Sequence, residues 1–379
     1  MASGRLAIGL MSGTSSDGID AALLRTDGRS MIETLAAVFL PYEPHFRNRL
    51  REAMHFARAE YDEARFSLLA LEEELTLRHV DAVAALLAEA GLTPSEVDVI
   101  GFHGQTLFHD PKRGISWQMG DGPLLARMTG IDVVHDFRAA DIAGGGEGAP
   151  LAPGYHRALI ESDPMLKRPV VILNIGGVAN LSYIDATHLI AFDCGPGNAL
   201  LDDWMLLKTG HPIDLSGHLA RSGRVDQARI AALLAHPFFD RPPPKSLDRD
   251  AFSLADFADM APADGAATLT AFTVEAVCRA LAHLPGTPQA LHVTGGGRHN
   301  GLMMESLTRR SGRPVAPVEA LGWQGDFIEA EAFAWLAVRH LLGLPLSWPG
   351  TTGVREPMPG GRLASARRGE SAPPDRVRR

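Results

Sequence analysis

Five times along this chain of 379 residues an apolar run breaks into a glycine-rich loop. The loops begin at Ser12, Gly104, Gly176, Gly195 and Gly295. Strands that alternate with helical stretches make an α/β sheet protein. In such sheets ligands collect beyond the carboxyl ends of the strands. The recurrence therefore points to a ligand-binding α/β protein with several backbone loops around one ligand type. At 379 residues the chain exceeds what a single core usually supports, so two domains are expected.

Composition narrows the partners. The apolar fraction is 45% and the formal charge is −9. Nucleic acid as the main partner would want a basic face, which this balance does not supply. Two cysteines, Cys194 and Cys278, make neither a disulfide framework nor a cysteine zinc site, and a reducing cytoplasm is expected. The opening MASGRLAIGLMSGTSSDG is too short and polar for a signal peptide, and no apolar run is long enough for a membrane helix.

Arg5 to Met11 reads as a buried strand, and Ile19 to Arg25 as its hairpin partner. Tyr42 to Ala90 has helical spacing, with Phe66, Leu69, Ala70, Val80, Val83, Ala84 and Leu87 recurring at three and four residues. Further strands are expected at 97–103, 131–135, 170–174, 189–192 and 290–294. Gly104 to Gln118 reads as a polar loop. Helices are expected at 199–208, 266–284 and 327–342. The last twenty or so residues, Arg362 to Arg379, read as a disordered tail.

Three loops carry distinct chemistry. In GTSSDGID, Gly13 and Gly18 can take positive φ, and Thr14, Ser15 and Ser16 can surround phosphate oxygens. Asp17 would reach a phosphate only through Mg²⁺. A plain polar turn explains the same residues. In FDCGPGN, Asp193 ends a buried strand among apolar neighbours, where a raised pKa suits a general base. Asn198 falls where a helix N-cap would, beside the positive end of the dipole. A turn-capping Asp is the alternative. In VTGGGRHN, three glycines let backbone approach a flat ligand, with Arg298 and Asn300 near a base or ribose. A simple strand–helix turn is the alternative there.

Other classes fall away. No G-x-x-x-x-G-K-[ST] run exists, nor an H-R-D with D-F-G. No glycine cluster has the dinucleotide fingerprint with an acid about 20 residues on. His103 with His109, and His135 with Asp136, lack metal-site spacing. His103, before Gly104-Gln105, is the better candidate for bonding a polar ligand.

Nine segments, in order, resemble the anhydro-N-acetylmuramic acid kinase family: LMSGTSSDGIDAAL, GFHGQTLFHDP, QMGDG, TGIDVVHDFRAADIAGGGEGAPLAP, NIGGVANL, FDCGPGNALLDDW, PPPKSLDRDAF, VTGGGRHN and EAEAFAWLA. They cover roughly Gly9 to Ala337. The resemblance implies an α/β fold of two ribonuclease-H-like lobes, with mixed sheets flanked by helices and ATP in the interlobe cleft. Residues 1–135 plus 345–379 would form the first lobe and 136–344 the second. Gly13, Thr14, Ser15, Ser16, Asp17, Gly18, Ile19 and Asp20 would form the first phosphate loop. Gly195, Gly197 and Asn198 would form the second, and Gly295, Gly296, Gly297 and Asn300 would meet the adenosine. Asp193 would be the catalytic base. His103, Gln105, Gln118, Asp121, Arg138, Asn174 and Glu329 would line the sugar side. Asp17 and Asp193 would approach Mg²⁺, directly or through water. The implied reaction opens 1,6-anhydro-N-acetylmuramic acid with water and phosphorylates its six-position oxygen from ATP, in cytoplasmic cell-wall recycling. A homodimer is implied, with no membrane or nucleic-acid partner. Two departures stand out. Cys194 replaces the threonine common in the family, and KSLDRD replaces the more usual KSTGRE, though Lys245, Ser246 and Arg249 are kept.

Rival readings are a chaperone-like or actin-like ATPase, a sugar kinase acting on a free hydroxyl, and a binding protein without catalysis. The first would need an added substrate module that this length does not hold. Retention of Asp193 and both phosphate loops opposes the last.

Overall fold

A computed structural model of the chain describes residues 4–13, 15–248 and 251–366. The chain divides into two compact units. One comprises residues 1–144, 329–346 and 357–379, the other 145–328 and 347–356.

The first unit opens with β1 (Arg5–Ser12), β2 (Gly18–Thr26) and β3 (Ile32–Pro41), an antiparallel meander. Helices Pro44–Ala59, Tyr61–Ser67 and Leu69–Ala90 follow. β4 (Val99–Asp110) then returns parallel to β1, and β5 (Ile115–Met119) folds back on β4. β6 (Val133–His135) lies parallel to β4 on its other side. Alternate residues Ile8, Leu10, Ile100 and Phe102 bury one face under Leu50, Leu75 and Leu86 of the helices.

The second unit repeats the plan. β7 (Val170–Ile175), β8 (Val178–Ile184) and β9 (Leu189–Pro196) form a meander. β10 (Ala290–Thr294) is parallel to β7, and β11 (Val315–Pro317) is parallel to β10. Helix Pro262–Leu281 supplies Val274 and Val277 to the core beneath β7 and β10. The sheet orders are β3-β2-β1-β4-β6 and β9-β8-β7-β10-β11, the same order twice. A last strand, β12 (Arg362–Ala364), pairs antiparallel with β6 in the first unit.

Several expectations are corrected. Residues 104–118 are not a loop. β4 continues to Asp110, turns through Pro111–Arg113 and pairs with β5, burying Leu107 and Met119. Residues 362–364, expected to be disordered, are strand, and Asp132 Oδ1 accepts from Ala366 N at 2.8 Å. The rest of the expected tail, 367–379, lies outside the described residues. Helix Ile328–Leu341 belongs with the first unit, where the sequence boundary put it in the second.

Two glycines explain that last assignment. Gly9 of β1 and Gly101 of β4 are register partners. A Cβ on Gly9 would lie 1.8 Å from Ala330 O, and one on Gly101 2.0 Å from Phe333 O. The helix backbone therefore rests directly on the two central strands, which only hydrogen at both positions permits. Gly101→Ala is expected to destabilise the protein by about 2 kcal/mol or more, as overpacking against backbone does. Urea unfolding measures it, and the loss should exceed that of an alanine placed at a surface position.

Candidate functional site

The glycine loops of the second unit meet at one sheet edge. β7, β9 and β10 all point their carboxyl ends there, and the β7–β8 turn, Gly176-Gly177, closes the same edge. Gly197 N donates to Gly177 O (2.9 Å), and Asn198 N to Gly176 O (2.7 Å). Thr273 Oγ1 donates to Gly197 O (3.0 Å). Gly295 has φ +74°, and a Cβ there would lie 2.3 Å from Asn174 Oδ1. Gly176, Gly177, Gly295 and Gly296 reach the surface there and form, with Asn174 and Asn198, a floor of backbone, while Gly195, Gly197 and Gly297 are buried beneath it. Such a surface offers backbone to a ligand.

Asp193 sits on β9 at this edge, half-buried. The Pro-rich segment 241–248 holds it. Asp193 N donates to Lys245 O (3.0 Å), and Asp193 Oδ2 accepts from Leu247 N (2.7 Å). Among the described residues no other hydrogen bond reaches the carboxylate. Burial lifts its pKa to about 7, against the opposing Leu247 bond and Lys245 charge. Lys245 is buried, and its ammonium donates to the carbonyls of Phe238 (3.1 Å) and Phe239 (3.3 Å). It is therefore a brace for the segment and not an ion-pair partner of Asp193. Sequence reasoning named Lys245 but missed that bracing role, for which a lone lysine after three prolines was the available signal. Arg249 lies outside the described residues.

Asn198 stands at the N-cap position of helix Ala199–Thr209, but its side chain does not cap it. Asn198 Nδ2 instead donates to Ile175 O (3.0 Å). Asn300 does cap a helix, accepting from Met303 N (3.1 Å). Arg298 is paired with Glu319 (2.8 Å) and Asp326 (2.7 Å) and also donates to Gly295 O (3.0 Å). Arg298 and Asn300 therefore shape the loop, with their polar ends engaged by the protein.

In the first unit the loop after β1 carries Gly13, Ser15, Ser16 and Asp17; Thr14 lies outside the described residues. The positive φ expected at Gly13 and Gly18 falls on Ser16, at +52°. Gly18 is in β2, where a Cβ would strike Leu40 O at 2.4 Å. Ile19 is a core residue and Asp20 a β2 residue paired with Met11, so the exposed part of the loop ends at Asp17.

The expected sugar-side residues separate into two kinds. His103, Arg138 and Glu329 come together. His103 is buried, with Nδ1 2.8 Å from Gly104 O and Nε2 2.8 Å from Arg138 Nη2. Arginine only donates, so Nε2 accepts and Nδ1 carries the proton. Burial and the Arg138 charge hold the imidazole neutral, well below its usual pKa. Burial also lowers Arg138 to about 10, opposed by the Glu329 charge. Glu329 keeps solvent access, yet the surrounding protein raises its carboxyl, with Arg138 opposing. The ring of Phe333 lies 4.6 Å from that of His103. The other kind is engaged elsewhere. Asp121 Oδ1 accepts from Leu124 N (2.9 Å), capping helix Gly122–Thr129. Gln118 bonds Thr106 (3.2 Å) and Ser116 (2.8 Å). Gln105 is buried between Ser12 and Gly13.

Two units of identical strand order, each a three-stranded meander extended by two parallel strands, make the doubled α/β plan of the actin-like ATPase fold. Residues 5–365 match the anhydro-N-acetylmuramic acid kinase family. Relatives of that name agree in length as well as sequence. The protein of Rhizorhabdus wittichii is 53% identical over 94% of this chain and 98% of its own. That of Rhodospirillum rubrum is 51% identical over 94% and 93%, and that of Gluconobacter oxydans 52% over 94% and 99%. The chain belongs to the anhydro-N-acetylmuramic acid kinase family.

Two outcomes follow from the electrostatics. A carboxyl raised from 3.8 to about 7 binds its proton more tightly in the folded than the unfolded chain, so its contribution to stability is lost as pH rises through that window. Asp193→Asn is expected to melt at a higher temperature than the parent at pH 8, and to lose that advantage at pH 4, in calorimetric scans. Arg138→Met removes a charge that opposes protonation of His103. The imidazole should then titrate at higher pH by NMR, though still below an exposed histidine because burial remains.

Proposed function

We propose that this chain is an ATP-dependent kinase that opens 1,6-anhydro-N-acetylmuramic acid with water and phosphorylates the six-position oxygen. The products are N-acetylmuramic acid 6-phosphate and ADP, and the setting is cell-wall recycling. The family match supports the substrate class. The observation that carries the mechanism is Asp193, a half-buried strand-end carboxylate lifted to about 7 beside two glycine loops.

Asp193 takes a proton from water while the water oxygen bonds the anomeric carbon. The bond from that carbon to the six-position oxygen breaks, and the released oxygen takes the γ-phosphoryl group. The proton ends on Asp193 and then in solvent. Leu247 N–H fixes one carboxylate oxygen, and the other takes no hydrogen bond from the described residues. A base with a pKa near the working pH balances availability against basicity. The glycine floor and the loop at 13–17 are read as backbone cradles for the nucleotide. His103, with Nε2 held by Arg138, and Glu329 are read as the sugar-side cluster.

Among the described residues no cluster of three acidic, histidine or cysteine ligands exists. Mg²⁺ takes one or two carboxylates and fills its shell with phosphate and water oxygens, so it requires no such cluster. Asp17 and Asp193 are the candidate carboxylates, and the ion would neutralise phosphate charge. Among the described residues no helix is long and apolar enough to cross a membrane. A cytoplasmic homodimer belongs to this proposal on the family's account.

Purified protein with the anhydro sugar, ATP and Mg²⁺ should release ADP only when the sugar is present. Asp193→Asn should lower kcat by about 10²–10⁴-fold, the range for a lost general base. In the parent, kcat/KM should rise with pH and level off above about 7. In ¹⁸O-water the label should appear at the anomeric carbon; its absence, or equal turnover of N-acetylmuramic acid, would mean transfer to a free hydroxyl without ring opening.

A further inference from the structure

Gln105 was expected at the sugar, yet its side chain is buried and both ends of its amide are engaged. Gln105 Oε1 accepts from Ser12 Oγ (2.6 Å), and Nε2 donates to Gly13 O (3.1 Å). The orientation is forced, because a carbonyl cannot donate and a flipped amide would set oxygen against oxygen. With the Ser12 proton directed to Gln105, the Tyr42 hydroxyl, 2.9 Å away, must donate to Ser12 Oγ. A one-way chain therefore runs from Tyr42 through Ser12 and Gln105 to the carbonyl of Gly13. All three side chains are buried.

That carbonyl is one of three held in the loop. Gly13 O also accepts from Ser16 N (3.0 Å), Ser15 O from Arg47 Nη2 (3.2 Å) and Asp17 O from Tyr42 N (2.8 Å). Among the described residues the N–H groups of Ser15 and Asp17 take no partner. Carbonyls bound to protein and N–H groups left open are what an anion cradle requires, since a free carbonyl swinging inward would repel phosphate. Tyr42 contributes twice, once through its hydroxyl and once through its backbone.

We propose that Gln105 is a positioning residue for the nucleotide: it fixes the Gly13 carbonyl outward from the cradle and makes no contact with the sugar. This rests on the reading of the loop at 13–17 as a phosphate loop. Buried chains of this kind act as a unit, so loss of any link affects the same end. Gln105→Leu takes one of two donors from the Gly13 carbonyl and leaves it only the bond from Ser16 N. Tyr42→Phe removes the first donor while keeping the ring. Gln105→Glu sets a carboxylate against the carbonyl until it is protonated.

The test measures ATP affinity by calorimetry and both KM values by steady-state assay. Gln105→Leu is expected to weaken ATP about tenfold, the effect of one lost buried hydrogen bond. The sugar KM should stay within twofold (about 0.4 kcal/mol). Tyr42→Phe should move ATP in the same direction by less, and the double variant should fall short of the product of the two. Gln105→Glu should bind ATP poorly at pH 8 and recover toward the parent at pH 5.5, compared at each pH. A purely structural loss would move both substrates and show no such recovery. A raised sugar KM with unchanged ATP affinity in Gln105→Leu and Tyr42→Phe would overturn the proposal and return Gln105 to the sugar. A parent that binds no ATP would instead overturn the phosphate-loop reading itself.

Discussion

In each sheet a meander turns the third strand parallel to the first, and a fourth strand joins the first from the other side. That ordering sends several carboxyl ends to one edge. Everything chemical in the second unit depends on it. Asp193 on β9, the turn after β7 and the triple glycine after β10 are far apart in sequence yet share an edge. In the first unit the same ordering brings the loop after β1 beside β4, so that Gln105 can reach back to Gly13. Strand direction, not any single loop, gathers the backbone groups.

The two units use burial differently. In the second, burial works against a charge: Asp193 is kept basic by being partly withheld from water, with a single backbone N–H for support. In the first, burial keeps a histidine neutral and makes its proton position definite, because Arg138 leaves Nε2 no role but acceptor. Both arrangements depend on rigid surroundings. A carboxylate that could swing into water would return to its ordinary pKa, which is why the Pro-rich segment that bonds Asp193 at both its backbone and its carboxylate matters.

Much of this was legible in the sequence, and the pattern of what was not is physical. Short apolar strands ending in glycine, such as β1, β7 and β10, announce themselves because the run and the breaker are adjacent. β3 does not, since its outward residues Leu35 and Phe39 are exposed and its alternation is masked. β5 was lost in a polar stretch whose strand character comes only from pairing with β4. The family resemblance marked Asp193, but the segment that holds it and the burial that raises its carboxyl were not legible in the motif. The same resemblance put Gln105 on the sugar side, while its contacts with Ser12 and Gly13 were not legible, because a shared motif does not say which way an amide points. Likewise nothing local in EAEAFAWLA says that its helix rests on Gly9 and Gly101, hundreds of positions earlier.

That seating of helix Ile328–Leu341 has a consequence for how the chain is made. The first sheet leaves the ribosome early, but the helix that covers Gly9 and Gly101 is made only after the main strands of the second sheet. The second unit has all of its run 145–328, though not its 347–356, before that helix is made. Until that helix arrives one face of β1 and β4 stands open, a surface of the sort that nascent-chain chaperones shield. Closure thus lags emergence: the sheet made first waits for a helix made after the second sheet. A message truncated just short of residue 328 would leave the second unit nearly entire and the first without its cover.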